Sequence, residues 1–366
     1  MAAGLTPAQA AGLPGWRIVA TVVTPGDATQ LTSIAIADQR HAWAVGISQV
    51  KPGAFAPVVE EWDGSAWAPV SVPPDVVANL GAKPLLDAVA ASSPTNMWAF
   101  TATGGWLHWN GVWTAGRIAK SPIEIGSTLV FGQSNVWAFG EARPAHGAAS
   151  PYAARFDGPG GWKRSSVPGT NGISAASAVN STDIWATLGQ PEFTFGGGKG
   201  GGLVHWFRGR WHRVSSFPSQ LRNASLGSVL ARSDTDVWVG GAMKNSKHGT
   251  TEAIGRWNGH KWTVITLRAR ATANGYRVTS LVSDGAGGIW ALGNCLASSN
   301  CSPGSPWRLW HETAGNWSRP IQPRLSSHNT VLDSLAPVAH SVWAAGAIHE
   351  GSSANGIVAL WGRAPS

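Results

Sequence analysis

The sequence predicts an all-β fold: a seven-bladed β-propeller of four-stranded antiparallel blades, closed by an N-terminal strand that completes the last blade. Three observations predict it. A tryptophan-bearing segment recurs seven times, at Trp43, Trp98, Trp137, Trp185, Trp238, Trp290 and Trp343, at a spacing of about 50 residues. Each copy is followed by a second aromatic in stretches such as EEWDG, LHWNG and GRWNG, and all but the last by a third. Asp-Gly and Asn-Gly pairs stand between β-prone runs, the strongest short-range sign of a hairpin.

The elements parse in order along the first repeat. TSIAIA alternates as a half-buried strand does, DQRH is a tight turn, and AWAVG is a second strand. APVVEEW is a third strand, DGSA a hairpin turn, and WAPVSV a fourth. Four antiparallel strands in a unit of this length make one blade. The seventh repeat runs out of chain before its fourth strand. Residues 16–23, with Trp16, supply that strand, and the closure removes an exposed sheet edge. The expected organisation is a flexible segment at 1–15, one propeller domain at 16–361 and a tail at 362–366. Each repeated indole fills the wedge between neighbouring blades, and only Trp106 and Trp307 fall outside the pattern.

Composition removes several alternatives. Charged residues are 13% and apolar residues 43% of the 366, which excludes a disordered chain. No apolar run reaches the roughly 18 residues of a membrane-spanning helix. The net charge is +8, but the positives are scattered, and no nucleic-acid motif accompanies them. Cys295 and Cys301 lie in the stretch CLASSNC, without the further ligands a zinc site needs. The expected arrangement is a disulfide between Cys295 and Cys301 that pins one loop in an oxidising compartment. The first residues lack a basic region and a continuous apolar region; with the expected disulfide, the expectation is a secreted, extracellular protein whose leader is absent from this chain, the alternative being a cytosolic protein with two free thiols.

The stretch SDGAGGIWALG resembles the D-x-x-G-x-[IL]-W repeat of two-component-regulator sensor propellers, with Asp284, Gly287 and Trp290 matching. The arrangement is also similar to the Asp-box propellers of sialidases, with one residue more between Asp and Trp, and to virginiamycin-lyase-like propellers. These resemblances imply the propeller fold and carry no catalytic residue across, while the Arg-, Ala- and Gly-rich composition points to a bacterial source.

Function is expected on the face that bears the long loops, where a rigid scaffold presents variable segments. The candidate ligand-binding residues are Trp106, Trp307, Glu141, Arg143, His146, His248 and His349. Asp87 and Asp333 begin innermost strands near the channel mouth, where two carboxylates suit acid/base work on a glycosidic bond. Tyr276, close in sequence to Arg268, Arg270 and Arg277, is the remaining catalytic candidate. No serine-hydrolase elbow, H-E-x-x-H or P-loop is present. The resulting reading is a secreted, monomeric propeller that binds a glycan or protein partner through its upper loops, with no cofactor, metal or nucleic acid. The alternative is an extracellular glycoside hydrolase or polysaccharide lyase at the mouth of the central channel.

Overall fold

The run NMWAFT (Asn96–Thr101) is buried at every position, whereas WRIVATV (Trp16–Val22) alternates between half-buried and exposed. Continuous burial marks a strand covered on both faces, and alternation marks one covered on a single face. In the computed structural model these are a second and an outermost strand of propeller blades. The structure describes residues 15–22, 28–119, 122–144, 148–189, 201–244, 250–267, 275–295, 306–318, 325, 329–338, 341–351 and 353–362.

Seven four-stranded antiparallel units follow one another, with strands a to d running from the channel outward. Blade 1 consists of Ala28–Ile36, Ala42–Lys51, Ala54–Trp62 and Trp67–Pro69. Blade 2 consists of Leu86–Ser93, Asn96–Thr101, Gly105–Trp109 and Trp113–Arg117. Blades 3, 4, 5 and 6 begin with Ile123–Gly132, Ile173–Asn180, Ser225–Ser233 and Tyr276–Ser283. Blade 7 takes strands a to c from Asn329–Val338, Ser341–Glu350 and Ser353–Trp361. Its strand d is Trp16–Val22, paired from Trp16 opposite Trp361 to Val22 opposite Gly356. The N-terminal closure read from the sequence is therefore present.

Every innermost strand carries a β-bulge at the same place. The residues left out of register are Thr32, Asp87, Gly126, Ser174, Gly227, Thr279 and Asp333. A bulge kinks its strand and leaves one residue unpaired. The position of strand b that faces the residue before the bulge is the glycine of W-x-x-G in blades 1, 3, 5, 6 and 7: Gly46, Gly140, Gly241, Gly293 and Gly346. A Cβ on Gly46, Gly140, Gly241 or Gly346 would overlap the carbonyl oxygen of Gln30, Glu124, Ser225 or Val331. At Gly293 it would meet the Glu252 carboxylate from the neighbouring blade. Blades 2 and 4 have Thr101 and Leu188 there, and in both the ladder between strands a and b ends at that pair. The glycine is thus required only where pairing continues past the bulge.

Inner strands are also tied to each other by small hydroxyls. Thr32 Oγ1 donates to the Leu86 carbonyl at 2.6 Å, and Ser33 Oγ accepts from the Val89 N–H at 3.2 Å. Ser127 and Ser177 accept from Ala176 and Ala231 across the next seams.

Farther out, tryptophans fill the widening wedges. The strand-b indole of one blade meets the strand-d indole of the next edge to face in Trp43–Trp113, Trp98–Trp162, Trp137–Trp211, Trp238–Trp317, Trp290–Trp16 and Trp343–Trp67. Their centroids are between 5.1 and 6.4 Å apart. At the remaining seam, Trp185 and Trp262 share a cluster with Phe217. Several of these indole N–H groups, such as those of Trp43, Trp137 and Trp343, meet no oxygen acceptor among the described residues. Edge-to-face contact supplies part of the missing electrostatics, because the positive ring edge meets a negative ring face.

One strand departs from expectation. The fourth strand of blade 1 was expected through WAPVSV and stops at Pro69. Val70 still donates to the Val59 carbonyl at 2.8 Å, after which Ser71, Val72 and two prolines lead the chain off the sheet. Proline cannot donate to a ladder and restricts its predecessor, so pairing ends.

The bulge account predicts a contrast between two glycines. Gly46→Ala is expected to cost about 3 kcal/mol, the upper range for forced overpacking. Gly126→Ala, at a bulge position with open space around it, is expected to leave stability unchanged or slightly raised. Urea denaturation of the two variants checks this, and equal losses would refute the explanation.

Candidate functional site

The a–b and c–d turns share one face, and the b–c loops and blade connectors share the other. Asp87 and Asp333 occupy the same structural place, the bulge of strand a in blades 2 and 7, with blade 1 between them. The Asp87 carboxylate accepts from the Ala102 N–H at 2.7 Å, and that of Asp333 from the Gln30 side-chain amide at 2.7 Å. In other blades the hydroxyls of Thr32, Ser174 and Thr279 fill this position and lie 3.2, 3.4 and 3.4 Å from the carbonyls of Val45, Thr187 and Leu292. A bulge leaves neighbouring main-chain groups short of partners, and any small polar side chain there supplies one.

Glu141 and Arg143 are brought together, along with Glu124, which sequence reasoning did not single out. Glu124 and Glu141 are direct cross-strand partners, and Arg143 bridges them at 2.8 and 2.7 Å. Burial pushes the Glu124 carboxyl up; Arg143 opposes that rise and Glu141 adds to it. The cation resolves the repulsion that two opposed carboxylates would suffer.

The structure corrects two candidates. Trp307, expected to line a ligand surface, is 1% exposed, and its indole N–H donates to the Thr330 carbonyl at the seam between blades 6 and 7. Tyr276, the catalytic candidate, is also 1% exposed, with the Arg308 guanidinium 3.4 Å over its ring. Arg308 in turn pairs with Glu252 at 3.5 Å, and Trp310 Nε1 donates to the same carboxylate at 3.0 Å. Burial pushes Glu252 up to about 7, against the pull of Arg308 and Trp310. This set is buried between blades 5 and 6. Trp106 is half-buried and packs on Trp98 at 5.2 Å. His349 is half-buried near the end of strand b in blade 7. His146, His248 and Cys301 lie outside the described residues; Cys295 ends strand b of blade 6 and donates its N–H to Pro306 at 2.9 Å.

Two histidine–aspartate pairs have the look of a base and its orienter: His205–Asp183 at 2.8 Å and His311–Asp284 at 2.9 Å. They belong to a repeated device. The residue facing the strand-b tryptophan from strand c is His108, Arg155, His205, Arg256 or His311 in blades 2 to 6. Each packs on that indole and is tethered to Asn96, Asn135, Asp183, Asp236 or Asp284. The motif [ND]-x-W of blades 2 to 5 is therefore a clamp on the tryptophan. Burial of Asp284 opposes its ionisation, yet bonds from His311 and from the N–H groups of Ala286 and Gly288 hold it below the usual carboxylate range. His108, whose partner is a neutral amide, is lowered to about 4 by burial.

An open concavity lies on blade 1. Because strand d ends at Pro69, the upper half of strand c has no paired strand on its outer side among the described residues, and the connector bends over the gap. The result is a groove of about 420 Å³ lined by Phe55–Glu60, Pro69–Val72, Pro74 and Val77, a size suited to a bound group. Its connector wall is anchored. Leu80 is fully buried, and Arg117 donates to the carbonyls of Leu80 and Thr103 at 3.2 and 2.8 Å. The lining side chains are apolar except Ser71 and Glu60, and Glu60 is 4% exposed and pushed up to about 7 by burial alone. Among the described residues no three His, Cys, Asp or Glu side chains converge to hold a metal ion, and no helix is long and apolar enough to cross a membrane.

No protein-family model and no curated protein matches the sequence. Solved structures do. YCF48 bound to D1 peptide matches at TM-score 0.59 and 14% identity, over 98% of this chain and 97% of that one. The WD40 propeller domain of Doa1 matches at 0.54 and 11% (94% and 97% covered), and the Swd1 propeller of Myceliophteria thermophila at 0.53 and 9% (93% and 98%). At these identities the likeness establishes the β-propeller fold and nothing finer.

Glu60 gives a pH prediction. Its folded value lies above the ordinary 4.5, so the folded chain binds more protons between pH 4.5 and 7, and this group costs stability as pH rises through that window. Glu60→Gln is therefore expected to stabilise the protein by about 2–3 kcal/mol above pH 7, with the gain vanishing below pH 4.5. Denaturant titrations of both proteins across that range check it; a pH-independent difference would show that the carboxyl ionises normally.

Proposed function

We propose that this protein is a binding propeller that takes an extended segment of a protein partner into the blade-1 groove. The observation that carries the proposal is the open edge of strand c, flanked by apolar walls. An extended peptide beside such an edge gains main-chain hydrogen bonds and side-chain pockets together. The similarly folded YCF48 is described as bound to a peptide, which is consistent with this use of the architecture. A glycan partner is less well supported, since Trp307 is enclosed and Trp106 packs against Trp98. A hydrolase is less well supported for a related reason: Asp87, Asp333, Glu141 and Tyr276 are each engaged within or between blades. The proposal keeps an extracellular setting, resting on two cysteines separated by five residues.

Selection of randomised linear peptides on the immobilised protein is expected to yield binders. Ser71→Trp, an exposed substitution that fills the groove, is expected to weaken them at least tenfold, or about 1.4 kcal/mol. Binders indifferent to Ser71→Trp would move the site elsewhere, and glycan-array binding without peptide binding would overturn the proposal.

A further inference from the structure

Glu60 stands apart from the other buried acids. Glu141 pairs with Arg143, Glu252 with Arg308, Asp284 with His311, and Glu312 accepts from the Gly315 N–H. Among the described residues, no cation, amide or hydroxyl reaches the Glu60 carboxylate, and burial is the only influence on it. It is nonetheless a groove-lining residue. A carboxylate largely withdrawn from water with no protein partner is costly, and an incoming cation offsets that cost.

The adjacent backbone indicates what supplies it. Val59 turns its carbonyl outward, where Val70 donates to it. Outward and inward groups alternate along a strand, so Pro57 and Phe55 also face the open edge. Pro57 has no N–H, which explains how a proline sits inside a paired strand: its missing donor points away from strand b. Beyond the Val59–Val70 bond the edge therefore offers the carbonyls of Phe55 and Pro57 and the N–H of Phe55, Pro57 having removed one donor. Unpaired main-chain carbonyls and N–H groups along one edge suit a ligand that can both give and accept, as a polypeptide main chain does.

We infer that the partner segment carries a lysine or arginine whose charge seats on Glu60 while its main chain pairs with the open edge of strand c. This rests on the groove reading above and adds its specificity. Charge-assisted hydrogen bonds inside an apolar groove are stronger than those between neutral groups. The chain's net charge of +8 repels basic peptides in general, so a preference for one cannot arise from non-specific attraction.

The test uses the full chain and short blocked peptides of alternating valine and threonine, with lysine, norleucine or glutamate at the centre, measured by calorimetry. The lysine peptide is expected to bind at least roughly tenfold tighter than the norleucine one, and the glutamate peptide more weakly still. Glu60→Gln, checked for native tryptophan fluorescence, is expected to erase the lysine preference, bringing the lysine and norleucine peptides to comparable affinity. Equal binding of all three, or a preference that survives Glu60→Gln, overturns the cation inference and leaves the groove proposal standing. Absence of any peptide binding, here and in the randomised selection, overturns both.

Discussion

The constraint on which the rest of the structure depends is the bulge in each innermost strand. Seven strands crowd around one channel and must fan outward, so each has to bend near its start. A bulge supplies that bend at the cost of main-chain groups thrown out of register. Three recurrent features answer it. Strand b gives up a side chain where the kinked backbone leans over it, which is the glycine of W-x-x-G. The bulge position takes a hydroxyl or carboxylate in five of its seven occurrences, Gly126 and Gly227 being the exceptions. Serines and a threonine one blade away satisfy amides and carbonyls across the seam.

This constraint reorders the reading of the polar residues. Asp87 and Asp333 look catalytic when considered singly, as carboxylates at a channel mouth. Seen as members of a sevenfold set with Thr32, Ser174 and Thr279, they are hydrogen-bond acceptors at a bulge. The same reasoning applies to the His–Asp pairs. His205–Asp183 viewed alone suggests a proton relay, but Arg256–Asp236 one blade on performs the same clamp with a side chain that cannot act as a base at neutral pH. In a repeat protein, a polar group that recurs with substitution at equivalent positions is structural, and a group that occurs once without a partner is the informative one.

Much of the fold was legible because a propeller writes its geometry into a period. The tryptophans marked strand b, the second and third aromatics marked strands c and d, and the truncated seventh repeat announced the closing strand. What was not legible depended on spatial neighbours. Nothing in the sequence around Trp307 distinguishes an indole on a surface from one enclosed between blades 6 and 7. Tyr276 stood near several arginines in sequence, yet the one that covers its ring is Arg308, on another strand. Glu60 was not singled out within the third strand APVVEEW; its burial follows from packing between Val58 and Trp62 on one face of that strand. The groove had a faint signal in the prolines at 69, 73 and 74, which are too many for a full fourth strand.

The groove also bears on how a closed ring of blades leaves anything to bind. Closure removes the edge between the chain ends, but strand d of each blade still faces outward. An unprotected edge invites indiscriminate pairing with other chains. Blade 1 blunts that tendency in two ways: Pro57 deletes a donor from the exposed row, and the anchored connector narrows the approach. Both features reduce general stickiness without closing the groove. A surface protected against random strands yet provided with an unpaired acid at its inner end discriminates by charge as well as by shape, since a chain lacking a cation leaves Glu60 buried and unsatisfied. The buried acid is thus better understood as a filter on what may enter the groove than as a defect in the packing of blade 1.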